Sequence, residues 1–81
     1  MRLDKYLKVS RLIKRRTVAN EVCDAMRVTV NGASAKASRD VKAGDIVEIS
    51  VGEGTTRFRV LSVEEKTGKE AAREMYEPLE T

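Results

Sequence analysis

The sequence predicts an α+β domain: two short N-terminal helices packed on a small antiparallel sheet of short strands, with a further helix at the C-terminal end. Three observations carry this expectation. Apolar residues recur at helical spacing through residues 3–10 and 17–26. From Val28 onward the period changes to two. Glycine-bearing turns, led by Asn31-Gly32, then divide the alternating stretches into short strands. A length of 81 residues holds one domain.

Residues 3–10 read as the first helix. At about 100° per residue, Leu3, Tyr6, Leu7 and Ser10 fall on one side, and Asp4, Lys5 and Lys8 on the other. Val9 lies off the apolar stripe. Residues 11–16, RLIKRR, are a connector in which Leu12 and Ile13 act as anchors between cations. Residues 17–26 read as the second helix. Val18, Ala19, Val22, Cys23, Ala25 and Met26 share one half of its wheel, and Thr17, Asn20, Glu21 and Asp24 the other. Thr17 is placed to cap this helix, with Glu21 one residue late for a capping box.

Val28, Thr29 and Val30 alternate into a hairpin at Asn31-Gly32, with Ala35 to Ala37 expected as the return strand. Lys42-Ala43-Gly44-Asp45 is a second turn, Gly44 supplying a positive φ. Residues 46–51 read as a strand and Gly52-Glu53-Gly54 as a tight connection. Residues 57–63 read as the next strand, with Phe58, Val60 and Ser62 on one face and Arg57, Arg59, Leu61 and Val63 on the other. Residues 66–69 form a loop, and residues 69–76, KEAAREMY, are expected to be helical until Pro78 stops them.

Charged residues make up 36% of the chain, above the usual quarter. The net charge of +3 hides an asymmetry. Residues 1–42 hold 11 Lys and Arg against 4 Asp and Glu, while residues 43–81 hold 5 against 9. A basic half joined to an acidic half points to nucleic acid as the partner of the first. Solvating charge ordinarily mixes its signs. Here Arg2, Lys5, Lys8, Arg11, Lys14, Arg15 and Arg16 gather at one end.

Composition also excludes. No stretch approaches the roughly 20 apolar residues of a membrane span, and MRLDKYLK is followed by no apolar core of a signal peptide. A basic helix lying on lipid carries bulky apolar residues, whereas this chain has no Trp and its single Phe is Phe58. A cytoplasmic protein with no membrane partner is therefore expected. With one Cys and no His there is no disulfide framework, no Ser-His-Asp mechanism and little scope for zinc. No phosphate-loop spacing occurs either. Asp40 and Asp45 read as turn chemistry, and Cys23 as inert packing. The expectation is a non-enzymatic protein with no metal and no cofactor.

Two helices joined by RLIKRR would present cations to a phosphate backbone. Arg15 and Arg16 stand where the second helix begins, and a helix N-terminus itself favours anions. Asp4 repels phosphate, so its part is indirect: it complements the first helix's dipole or holds an Arg such as Arg2 in place. The basic half offers only Tyr6 as an aromatic, and its helix position reads as core; Phe58 alone cannot form a stacking platform, and its alternation also reads as burial. Reading of RNA shape and backbone, with a few Arg contacts to bases, is expected.

Four pieces occur in order: RLDKYL, RRTVANEV, RVTVNG and VKAGDIVEI. From Arg2 to about Val51 this resembles the RNA-binding domain named for small-subunit ribosomal protein S-four, also called the alpha-L motif. One position departs. Many members have Gly before the basic residue of the strand motif, where this chain has Met26. The resemblance implies a single RNA-binding domain over residues 1–81, with a core over 1–51 and a strand-and-helix extension over 52–81. It ranks Arg2 and Arg16 first for contacts to ribosomal and transfer RNA, with Lys5, Lys8, Arg11, Lys14 and Arg15 behind them.

The opening, MRLDKYLKVSRLIKRRT, is similar to one bacterial branch of that family, the factors of ribosome-associated quality control. This resemblance implies a monomer on the large ribosomal subunit, in contact with its RNA and with P-site peptidyl-tRNA. It would hold an obstructed peptidyl-tRNA while an RqcH-type factor adds an alanine tail. The family's small heat-shock members usually carry a basic C-terminal extension, whereas this chain ends acidic. A free-standing binder of transfer or messenger RNA, and a heat-shock-type rescue factor, are the competing expectations.

Overall fold

The computed structural model describes residues 1–64 and 74–79. Helix α1 spans Leu3–Val9 and α2 spans Arg16–Asp24. Five strands follow: β1 Val28–Val30, β2 Ala33–Ser34, β3 Ile46–Val51, β4 Gly54–Val60 and β5 Tyr76–Leu79. They form one antiparallel sheet in the order β2-β1-β3-β4-β5. The α+β architecture of two helices and an antiparallel sheet is thus present.

Tight turns set the registers. Asn31 (φ 53°) and Gly32 (φ 85°) form a two-residue turn with both central φ angles positive, which pairs Val30 with Ala33. The return strand is therefore Ala33–Ser34, not Ala35 to Ala37. Ala35 and Ala37 are instead buried in the core as the chain leaves the sheet. Gly52 (φ 61°) opens a second two-residue turn that pairs Val51 with Gly54. Strand β4 consequently starts three residues before the expected position and ends at Val60, so Leu61, Ser62 and Val63 lie outside it.

The inner face of the sheet is apolar by alternation: Val28 and Val30 on β1, Val47 and Ile49 on β3, Phe58 and Val60 on β4. Leu3, Tyr6 and Leu7 of α1 and Ala19 and Cys23 of α2 are buried in the same core. The rings of Tyr6 and Phe58 stack at 6.3 Å, and Tyr76 meets Phe58 edge-on at 6.0 Å. The Tyr6 hydroxyl donates to the Met75 carbonyl oxygen at 2.6 Å, which ties α1 to the turn that leads into β5.

Several helical expectations are corrected. Thr17 does not cap α2; Arg15 holds the N-cap position and makes no side-chain capping bond. The apolar half of α2 is only partly covered. Ala19 and Cys23 are buried, while Val18 and Met26 are 41% and 69% exposed. The C-terminal helix over 69–76 is not seen. Residues 69–73 of that stretch lie outside the described residues, Glu74 and Met75 are in a turn, and Tyr76 begins β5. The loop expected over 66–69 also lies outside them. Pro78 stands within β5, opposite Phe58. An edge strand tolerates Pro because a missing N–H on its open side breaks no ladder bond.

The end of α2 shows how Met26 replaces Gly. Met26 adopts φ 60°. Its N–H donates to the Cys23 carbonyl at 2.9 Å, and the Arg27 N–H donates to that of Val22 at 3.2 Å. This is the paired bonding of a Schellman terminus, formed here at the cost of a non-glycine left-handed residue.

Candidate nucleic-acid interface

Asp4 is the centre of the basic end. Its residue surface is 2% exposed, yet the guanidinium groups that hold it stand half in solvent. Arg2 Nε donates to Asp4 Oδ1 at 3.2 Å and Arg2 Nη2 to Oδ2 at 3.4 Å. Arg16 Nε donates to Oδ2 at 3.4 Å, and Asn20 Nδ2 reaches the same oxygen at 3.5 Å. Burial pushes the Asp4 carboxyl up. The Lys5 backbone N–H, the Asn20 and Arg2 side chains and the charge of Arg16 together outweigh it, and the pKa lies below its ordinary 3.8. One ionised carboxylate thus orders two cations and leaves a local excess of one positive charge. Among the described residues Arg16 has only Nε engaged, so its Nη groups remain for a ligand.

The two helix N-termini differ. At α1 the Leu3 N–H donates to the Arg39 carbonyl at 2.7 Å, the Asp4 N–H to that of Ala37 at 3.2 Å, and the Lys5 N–H to Asp4 Oδ1 at 2.8 Å. That end is closed. At α2 the first internal bond is from the Ala19 N–H to the Arg15 carbonyl at 3.0 Å. The N–H groups of Arg16, Thr17 and Val18 find no acceptor among the described residues. Free N–H groups and the positive end of the helix dipole therefore lie beside Arg16.

The structure brings Arg2, Asp4 and Arg16 together and places the others around them. Arg15 caps α2 positionally, and Lys14 is exposed before it. Lys8 is exposed in the last turn of α1, where a cation complements the helix dipole. Arg11 follows the helix at φ 63° and is exposed. Lys5 is half-buried on α1. Among the described residues, none of Lys8, Arg11, Lys14 and Arg15 makes a hydrogen bond or ion pair with Asp4. Two contributions escape the sequence reading. Asn20 joins Asp4; its spacing of four from Arg16 puts both on one helix face, which is the signal that finds it. Lys36 and Arg39 are exposed on the segment whose carbonyls close α1, which brings two further cations to the chain that meets the helix N-terminus. Only tertiary structure places them there.

Asp4, Arg16, Thr17, Asn20 and Glu21 line an open groove of about 380 Å³. Behind it, burial and then the charges of Asp4 and Asp24 push the Cys23 thiol up to about 11, so at neutral pH it is an uncharged packing group.

A basic, helix-borne surface on a small antiparallel sheet, centred on a shared carboxylate, is suited to a polyanionic ligand. The S4 domain model matches residues 1–47. Over 77 residues the chain is 57% identical to the RQC P-site tRNA stabilizing factor of Streptococcus pneumoniae, covering 95% of this chain and 88% of that one. It is 53% identical over 76 residues to the protein of the same name from Bacillus subtilis, covering 94% and 88%. Among solved structures, heat shock protein 15 of Vibrio cholerae, described as trimeric, superposes with a TM-score of 0.87 at 26% identity, over 98% of this chain and 81% of that one. The chain belongs to the S4 domain family and groups there with the proteins named RQC P-site tRNA stabilizing factor.

Proposed function

We propose that this chain is a non-enzymatic, cytoplasmic RNA-binding factor of ribosome-associated quality control. It binds the large ribosomal subunit at ribosomal RNA and P-site tRNA, and it holds obstructed peptidyl-tRNA while an RqcH-type partner extends the stalled chain with alanine. The observation that carries this reading is the Arg2–Asp4–Arg16 cluster beside the open N-terminus of α2. Arg2 and Arg16 contact RNA directly, and Asp4 fixes their geometry. Lys5, Lys8, Arg11, Lys14 and Arg15 widen the positive surface along the backbone. Residues 1–51 carry the interface and residues 52–81 extend the fold. No bond is made or broken; binding free energy spent on one tRNA position raises its population. The names of the relatives support the quality-control role.

The test is association of the Arg16→Ala variant with purified large subunits carrying peptidyl-tRNA. Loss of one charge-assisted contact is expected to weaken binding by about 1–3 kcal/mol. Unchanged association removes Arg16 from the interface. The likeness to heat shock protein 15 favours a second reading, a rescue factor of that type. Recovery on subunits irrespective of alanine tailing would select it.

A further inference from the structure

Glu21 is out of place on a surface for phosphates. It is exposed, makes no ion pair among the described residues, and lines the same groove as Arg16. A fixed anion there weakens attraction for a polyanion. It becomes favourable only toward a ligand group that donates hydrogen bonds.

The neighbouring groups narrow the ligand. The Asp4 carboxylate, held by two guanidinium groups, accepts only, so Asn20 turns its NH2 toward it and keeps its carbonyl oxygen for another partner. The groove therefore offers acceptors on Glu21 and Asn20 beside the Nη donors of Arg16. Its volume of about 380 Å³ is enough for a nucleoside. Among the four bases, guanine alone carries two adjacent N–H donors on one edge, with the acceptor O6 beside them. A carboxylate takes both donors, and Arg is the usual donor to guanine O6 and N7. Adenine and cytosine would set a ring-nitrogen lone pair against the carboxylate, and uracil flanks its single N–H with two carbonyl oxygens. The base must be unpaired, because the edge used is its pairing edge.

We propose that the groove between Asp4 and Glu21 takes one unpaired guanine of the bound RNA, with Glu21 accepting from its N1–H and N2–H and Arg16 donating to O6 or N7. This deepens the preceding reading and rests on it for RNA as the ligand. The test is an NMR titration of the full chain at low salt with the tetranucleotides UUGU, UUAU, UUCU and UUUU, and with UUGU carrying inosine in place of guanosine. UUGU is expected to bind about tenfold or more tighter than the other three, with shifts at Asn20 and Glu21. Inosine, lacking the N2 amine, falls between. Glu21→Gln abolishes the preference, and loss of its fixed anion raises rather than lowers the affinity for UUUU. Equal affinities, absent binding, or a guanine preference that survives in Glu21→Gln overturns the proposal. Subunit association that depends on Arg16 without base preference leaves the ribosomal reading standing alone. Guanine preference without subunit association keeps the pocket and discards the ribosome.

Discussion

Arg16 engages Asp4 through Nε alone, at 3.4 Å, and its Nη groups make no bond among the described residues, so the proposed RNA contact would fall to them. A lysine has a single point of charge and cannot do both. Arg16→Lys is therefore expected to lose most of the affinity that Arg16→Ala loses, in the same subunit-binding measurement. Asp4 separates positioning from plain attraction. Asp4→Asn adds one positive charge to the surface, so attraction alone predicts tighter RNA binding. Loss of the shared anchor for Arg2 and Arg16 predicts weaker binding, and weaker binding is the expected result. The same carboxylate links stability to pH. Its pKa is depressed in the fold, so its contribution is complete above the unfolded value near 3.8 and is lost as pH falls through the lower folded value. Acid unfolding followed by circular dichroism should show a flatter limb below about pH 4 in Asp4→Asn than in the parent chain, whose carboxylate titrates there.

At the scale of elements, turn chemistry decides boundaries that periodicity leaves open. The helices and the Asn-Gly hairpin were legible because helical spacing and a dipeptide with positive φ are local signals. The return strand lies earlier than alternation over Ala35 and Ala37 suggests, because the two-residue turn makes Val30 face Ala33. Tyr76 and Pro78 read as a helix end because the pairing that makes them a strand, with Val60 and Phe58, comes from the sheet and not from their neighbours in sequence. In the candidate site, the pairing of Asp4 with Arg2 is legible from charge, whereas the first rank of Arg2 and Arg16 comes from the family resemblance and the approach of Arg16 to Asp4 from tertiary structure. Asn20 is signalled only by its spacing of four from Arg16, which places both on one helix face without distinguishing Asn20 as a partner of Asp4. Met26 gives the prediction for this scale. It holds φ 60° with its side chain 69% exposed, so strain is present with little burial in return. Met26→Gly should relieve it and raise stability by about 0.5–1 kcal/mol, seen as a higher urea midpoint at unchanged slope.

Over the whole molecule the charges segregate by whether they find partners. On the sheet Arg57 pairs with Glu48 at 2.6 Å and Arg59 with Glu77 at 3.3 Å, each across adjacent strands, so these cations are neutralised where they stand. At the helical end two arginines share the single carboxylate of Asp4, while Lys8, Arg11, Lys14 and Arg15 project from α1, the connector and the N-cap of α2. The net charge of +3 is thus the remainder of a polar molecule with one strongly positive end. Such an end binds a polyanion by displacing its condensed counterions, and each displaced ion adds to the salt dependence. If the helical cations engage about six phosphates, affinity for large subunits should fall about a thousandfold between roughly 50 and 200 mM salt. Lys14→Ala, which removes an exposed cation and no hydrogen bond of the Asp4 cluster, should lower the slope of log affinity against log salt by about one if Lys14 meets one of those phosphates. Arg57→Ala removes a cation already paired within the sheet and should leave that slope unchanged. A flat salt response in the parent chain would move the interface off the basic end altogether, while a steep response that Arg57→Ala diminishes would place it on the sheet.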